Sequence, residues 1–132
     1  MTKADTPLVE ILRLMKISTL LGFRRFRITG GEPLVRKGII NFLQEAAQLA
    51  GVKDLSLTTN GLLLPDMAFD LKAAGVRRVN ISLDTMNPKR FSEITRGGDV
   101  SKVMHGIFRS LEVGLNPVKI NVVVVRGLIR GS

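Results

Sequence analysis

Apolar and polar positions follow two periods along this chain, and the switches between them mark out its elements. Pro7 follows Asp5-Thr6, a helix-start signal, and Leu8, Ile11, Leu12, Met15 and Leu20 then give a helical face that stops at Gly22. Arg24 to Thr29 alternates with period two and reads as a strand. Pro33 opens a second helix, with Ile39, Ile40, Leu43, Ala46 and Ala47 on its face and Gly51 at its end. Asp54 to Thr58 is a strand, Pro65 to Ala74 a helix closed by Gly75, and Arg78 to Leu83 a third strand. Asn87-Pro88 starts a short helix through Ile94. Asp99 or Ser101 caps another, which carries Val103, Ile107 and Leu111 and ends at Gly114. Lys119 to Val125 is the last strand.

Strands alternating with helices over short loops call for crossover connections and a parallel sheet, in a single domain over residues 1–132 without a linker. Strands buried on both faces normally read as continuous apolar runs. These do not. Phe26 and Ile28 alternate with Arg25, Arg27 and Thr29, and Leu55 and Leu57 with Ser56 and Thr58. Val79, Ile81 and Leu83 alternate with Asn80, Ser82 and Asp84, and Val118, Ile120 and Val122 with Lys119 and Asn121. Side chains on a strand alternate faces, so each strand offers an apolar face to the helices and a polar face to something else. Two architectures meet that pattern: a sheet with one solvent-facing side, or a wall around a wet, ligand-filled lumen.

Composition narrows the chemistry. The 132 residues contain no cysteine, which removes disulfides, thiolate metal sites and thiol nucleophiles from this chain. The single histidine, His105, falls in a predicted helix, where a solvated or packing role is expected. No apolar run approaches the roughly 20 residues of a spanning helix, so a cytoplasmic protein without a membrane partner is expected. A net charge of +9 admits an anionic small molecule, a nucleic acid or a membrane surface. The basic residues are scattered and the only aromatic is Phe, so stacking on nucleic-acid bases is not expected.

In parallel α/β architectures ligands bind at the carboxyl ends of strands. The loops there are Thr29-Gly30-Gly31-Glu32-Pro33, Thr58-Thr59-Asn60-Gly61 and Ser82-Leu83-Asp84-Thr85. Gly30 and Gly31 let backbone groups approach a ligand, and Glu32 adds an acceptor for an ammonium group. Arg27 and Lys119 share the polar face and could meet in one cavity, with Asp84 and Glu32 as the obvious internal counter-ions. Unpaired cations in a water-poor site need an anion, so a polyanionic ligand such as a triphosphate is expected, the alternative being a structural Arg–Asp pair. Thr58 and Ser82 are short inward hydroxyls suited to ribose or base contacts. Asn60-Gly61 serves equally well as a turn. No Ser-His-Asp, paired-carboxylate or phosphate-loop pattern is present.

Four segments, Ile28-Thr29-Gly30-Gly31-Glu32-Pro33-Leu34, Leu57-Thr58-Thr59-Asn60-Gly61, Val79-Asn80-Ile81-Ser82-Leu83-Asp84 and Pro117-Val118-Lys119-Ile120-Asn121, together with Phe91-Ser92-Glu93-Ile94-Thr95-Arg96, resemble the GTP 3′,8-cyclase family. These are radical S-adenosylmethionine enzymes of molybdenum cofactor biosynthesis, and the resemblance runs from about Leu8 to Gly127. It implies an α/β fold, a partial (β/α) barrel fragment of about four parallel strands with helices on the outer face. It also implies that Gly31, in the loop that holds Gly30 and Glu32, and Ser82, at the end of the third strand, contact S-adenosylmethionine, and that Arg27, Thr58 and Lys119 contact GTP. The family's [4Fe-4S] cluster needs a three-cysteine loop expected before Leu8, where Met1 to Pro7 has none, and Leu128-Ile129-Arg130 departs from the family pattern. The expectation is therefore a fragment that binds both ligands, is inactive alone, and self-associates or takes a partner chain through open sheet edges. The alternative is a non-catalytic nucleotide-binding or scaffold protein that completes a barrel with a partner.

Overall fold

The computed structural model describes residues 6–84 and 98–123, with side-chain surroundings for 6–82 and 101–122. The helix expected from Asn87 to Ile94, the Phe91–Arg96 motif and Val124-Val125 lie outside the described residues. In chain order the elements are α1 (Leu8–Leu20), β1 (Arg25–Ile28), a 3-10 turn (Pro33–Val35), α2 (Ile39–Gln48), β2 (Asp54–Thr59), α3 (Leu64–Ala74), β3 (Arg78–Asp84), α4 (Gly98–Glu112) and β4 (Val118–Val123). The strands form one parallel sheet in the order β1-β2-β3-β4.

One expected element divides in two. Pro33 opens only a 3-10 turn, because Arg36 is extended and Gly38 adopts φ 79°, a left-handed conformation that breaks a right-handed helix. Helix α2 begins afresh at Ile39. Helix α3 follows the sequence rules closely: Pro65 and Asp66 sit in its first turn, Lys72 in its last, and Gly75 closes it at φ 112°. Acid at the start and base at the end both complement the helix dipole.

The helices lie on one side of the sheet. Leu55, Leu57, Val79 and Ile81 are buried there against Phe42, Leu43 and Ala46 of α2, Leu64, Ala68 and Leu71 of α3, and Val103 of α4. Each fully buried Leu or Ile contributes about 1.5–3 kcal/mol over leaving it in water. The outer ends of this layer are thinner. Ile120 and Val122 of β4 share that face yet stay exposed, as do Met104, Phe108 and Leu111 of α4. At the other end Leu14, Ile17, Leu20 and Phe23 are exposed as well.

Helices α3 and α4 approach closely at Gly106. A Cβ there would stand 2.8 Å from Leu64 Cβ, 3.1 Å from the Gly61 carbonyl oxygen and 3.3 Å from Pro65 Cδ. Gly106→Ala should therefore destabilise by about 1–3 kcal/mol through overpacking. Helix propensity pulls the other way, since alanine is favoured over glycine by about 1 kcal/mol in a helix. Urea unfolding measures the net effect, and a variant more stable than the wild type would show that α4 is not seated at this distance.

Candidate functional site

The face of the sheet opposite the described helices carries the polar residues in cross-strand rows. Arg25 of β1 lies opposite Asp54 of β2, and Arg27 opposite Ser56, which in turn lies opposite Arg78 of β3. The next row runs Thr58, Asn80 and Lys119, and the one above it pairs Ser82 with Asn121 of β4. The period-two reading of the strands is thus realised in space. Arg27, Lys119 and Asn121 are exposed, while Ser56 and Asn80 are buried within the sheet, at 2 % and 5 % exposure.

Arg27 and Lys119 face the same side without being neighbours. They stand on the two outer strands, three strand spacings or roughly 14 Å apart along the sheet. Any ligand touching both must span the wall. Between them lie Ser56, Thr58 and Asn80: Thr58 is half-buried, whereas Asn80 and Ser56, whose hydroxyl donates to the Phe26 carbonyl at 3.5 Å, are buried.

A counter-ion on this face is Asp54, which the sequence reading did not single out. Its carboxylate pairs with the Arg78 guanidinium. Counting back by two from Thr58 and Ser56 reaches Asp54, so its place on the polar face was available from the strand period. The pair leaves Asp54 Oδ1 and Arg78 Nε buried without hydrogen-bond partners among the described residues. Asp54 and Arg78 also line an open cavity of about 350 Å3 at the strand N-terminal ends, with Arg25, Lys53, Arg77, Asn116 and Pro117. No carboxylate among the described residues lies within salt-bridge distance of Arg27 or Lys119. Asp84 ends β3, and its side chain is outside the described residues.

Glu32 faces other partners than the sequence reading gave it. Its Oε2 accepts from the Thr59 hydroxyl at 2.7 Å and from the Leu34 backbone N–H at 3.1 Å; its Oε1 accepts from the Asn60 N–H at 2.7 Å. Asn60 is a turn former: its Oδ1 accepts from the Leu62 N–H at 2.9 Å, and Gly61 follows at φ 86°. Gly30 also takes a left-handed conformation, at φ 101°. Gly31 does not, and an ideal Cβ on it would meet no atom within 4 Å. Nothing within the described chain requires glycine at that position. The loop also borders a cavity of about 140 Å3 lined by Leu8, Ile11 and Ile28 as well as Thr29 to Pro33. His105 is exposed on α4, away from these loops in sequence and without a role in the rows described. No group of three or more His, Asp or Glu side chains suited to a metal occurs among the described residues.

Comparison with known proteins extends this geometry. The model of the radical SAM superfamily matches residues 3–130. The GTP 3′,8-cyclase of Petrotoga mobilis is 52 % identical over 119 residues, covering 90 % of this chain and 37 % of that protein. The GTP 3′,8-cyclase of Alkaliphilus oremlandii is 53 % identical over 120 residues, covering 91 % and 38 %. The enzyme of the same name from Heliobacterium modesticaldum is 51 % identical over 137 residues, covering 97 % and 42 %. The chain thus spans about two-fifths of the length of these curated relatives.

Proposed function

Because the chain belongs to the radical SAM superfamily, we propose that it forms the ligand-holding wall of a GTP 3′,8-cyclase, with GTP and S-adenosylmethionine bound towards the strand C-terminal ends. Arg27, Thr58 and Lys119 are directed at GTP, and Gly30, Gly31, Glu32 and Ser82 form the S-adenosylmethionine site. The observation that carries this reading is the polar face itself: Arg27 and Lys119 flank three small polar side chains, and Asp54, the carboxylate on this face whose surroundings are described, is already engaged by Arg78. A polyphosphate supplies the negative charge that such a surface lacks, through charge-assisted hydrogen bonds.

Gly31 fits the second ligand. Its ordinary backbone and the open space beside it leave room for a close backbone approach to an amino-acid moiety. Bound S-adenosylmethionine supplies the adenosyl group for the family's radical chemistry. The iron–sulfur cluster that accompanies it has no fit among these 132 residues, because none is a cysteine. No radical-generating step is therefore assigned to them, and the chain by itself is inactive in this reading.

The same reading assigns a partner to the sheet's outer ends. Exposed Ile120 and Val122 of β4, an outer strand among the described residues, take another chain segment or a second copy. Sedimentation equilibrium on the 132-residue chain should show mass rising with concentration. A monomer at all concentrations removes this part of the proposal.

Calorimetric titration tests the ligands. Arg27→Ala and Lys119→Ala should each weaken GTP binding by about 1.5–3 kcal/mol, the range for charged hydrogen bonds. Gly31→Ala should leave the unfolding midpoint nearly unchanged, since it meets neither strain nor contact, yet weaken S-adenosylmethionine. Unaltered GTP affinity in both charge variants would remove the phosphate assignment.

A further inference from the structure

The loop carrying Gly30 and Gly31 and the loop following Thr58 come from different strands, and they are held in very different ways. The second is wedged. A Cβ on Gly61 would stand 3.1 Å from Ile81 Cγ2, and the Gly61 carbonyl lies under Gly106 of α4. Its amide donates to Thr59 Oγ1 at 3.2 Å, which fixes the hydroxyl as an acceptor on one side. The first loop has open space around both glycines. Among the described residues, the hydrogen bonds that fasten residues 29–34 to another element are the two from Thr59 and Asn60 to Glu32.

The direction of that carboxylate follows from strand alternation. Thr58 lies on the polar face with Ser56, so Thr59 lies on the helix side with Leu55 and Leu57, and it is 2 % exposed. A carboxylate bonded to the Thr59 hydroxyl is turned away from the ligand face. An ionised carboxylate offers about four acceptor sites. Three are filled, by Leu34, Thr59 and Asn60.

We propose that Glu32 is a positioning residue, a clip that locks the Gly30-Gly31 loop to the rigid loop after Thr58 and so couples the two ligand sites. The proposal rests on the assignment of S-adenosylmethionine to the first loop and of GTP to Thr58, the strand residue that leads into the second. It deepens that assignment by moving Glu32 from the ligand's side to the support behind it. A ligand that settles one loop settles the other through the shared carboxylate, and the coupling is reciprocal. Reciprocity requires each ligand to raise the affinity of the other by the same factor.

Glu32→Gln keeps the size of the side chain but leaves one oxygen acceptor and an NH2 group facing donors. Thr59→Val removes the hydroxyl at constant shape, and Thr59→Ser restores it. Hydrogen exchange on the 132-residue chain reads the clip without any ligand. Exchange at Leu34 and at Asn60 to Leu62, some of them nearly 30 residues away, should accelerate about tenfold or more in Glu32→Gln. Thr59→Val should accelerate exchange in the 30–34 loop, and Thr59→Ser should return it to the wild-type rate. By calorimetry, Glu32→Gln should weaken S-adenosylmethionine and GTP by similar factors and abolish their mutual enhancement. The double variant with Thr59→Val should be no worse than the poorer single one.

Weakening of S-adenosylmethionine alone, with exchange at Asn60 to Leu62 unchanged, would overturn the clip and return Glu32 to direct ligand contact. Should the wild-type chain bind neither ligand, the functional proposal fails, and the exchange rates alone decide whether the carboxylate locks the loops. A Glu32→Gln variant that does not fold leaves the Thr59→Val and Thr59→Ser pair to decide, since unchanged exchange at residues 30–34 in Thr59→Val contradicts the proposal.

Discussion

A parallel sheet packed by its described helices on one face must divide its side chains strictly, and nearly everything in the described residues follows from that division. Leu55, Leu57, Val79 and Ile81 are wholly or almost wholly removed from water because α2, α3 and α4 press on their face. One residue away in each strand the side chains are Arg27, Ser56, Asn80 and Lys119. A slip of one residue in any strand would bury polar or charged side chains under the helices and expose the core to solvent. The register is therefore fixed by the apolar face, and the polar rows are positioned as its consequence. A binding wall needs no separate stabilisation of its own when the core behind it already sets every strand.

The elements and faces were legible in the sequence because they rest on local periodicity, which a strand or helix enforces over a few residues. Helix α1, the cap at Gly75 and the alternation of β1 to β4 all have the expected form. A sheet of four parallel strands follows from them together, while the partial barrel was implied by the family resemblance. The helix expected from Pro33 failed for a local reason that was harder to weigh, the left-handed Gly38. The site was legible only in part, because its details depend on contacts between strands. Arg27 and Lys119 were on one face as expected, yet strand order puts them at opposite ends of the wall. Glu32 finds Thr59 and Asn60 across 27 and 28 residues of chain, and no spacing rule signals that meeting. Asp54 was within reach of the strand period but stood at the strand's first residue, where a carboxylate reads as a turn or cap.

Charge ties the wall to its ligand. The chain carries a net +9, and among the described residues the Asp54–Arg78 pair neutralises one cation of the polar face. Lys53, Arg77 and Arg25 extend the basic character to the strand N-terminal ends. A field of one sign over an open surface draws anions from a distance and is screened by salt. Specific binding needs more than this field: it needs the hydroxyl and amide donors of the central strands at fixed positions, with the loop glycines admitting the second ligand.

The most direct test of this account is a residue-by-residue NMR perturbation map of the 132-residue chain on adding GTP and S-adenosylmethionine. The account predicts that GTP perturbs Arg27, Ser56, Thr58, Asn80 and Lys119, that S-adenosylmethionine perturbs Gly30, Gly31 and Ser82, and that Leu55, Leu57, Val79 and Ile81 change least. Perturbation confined to Lys53, Arg77 and their neighbours at the strand N-terminal ends, or the absence of any change at saturating ligand, would contradict it.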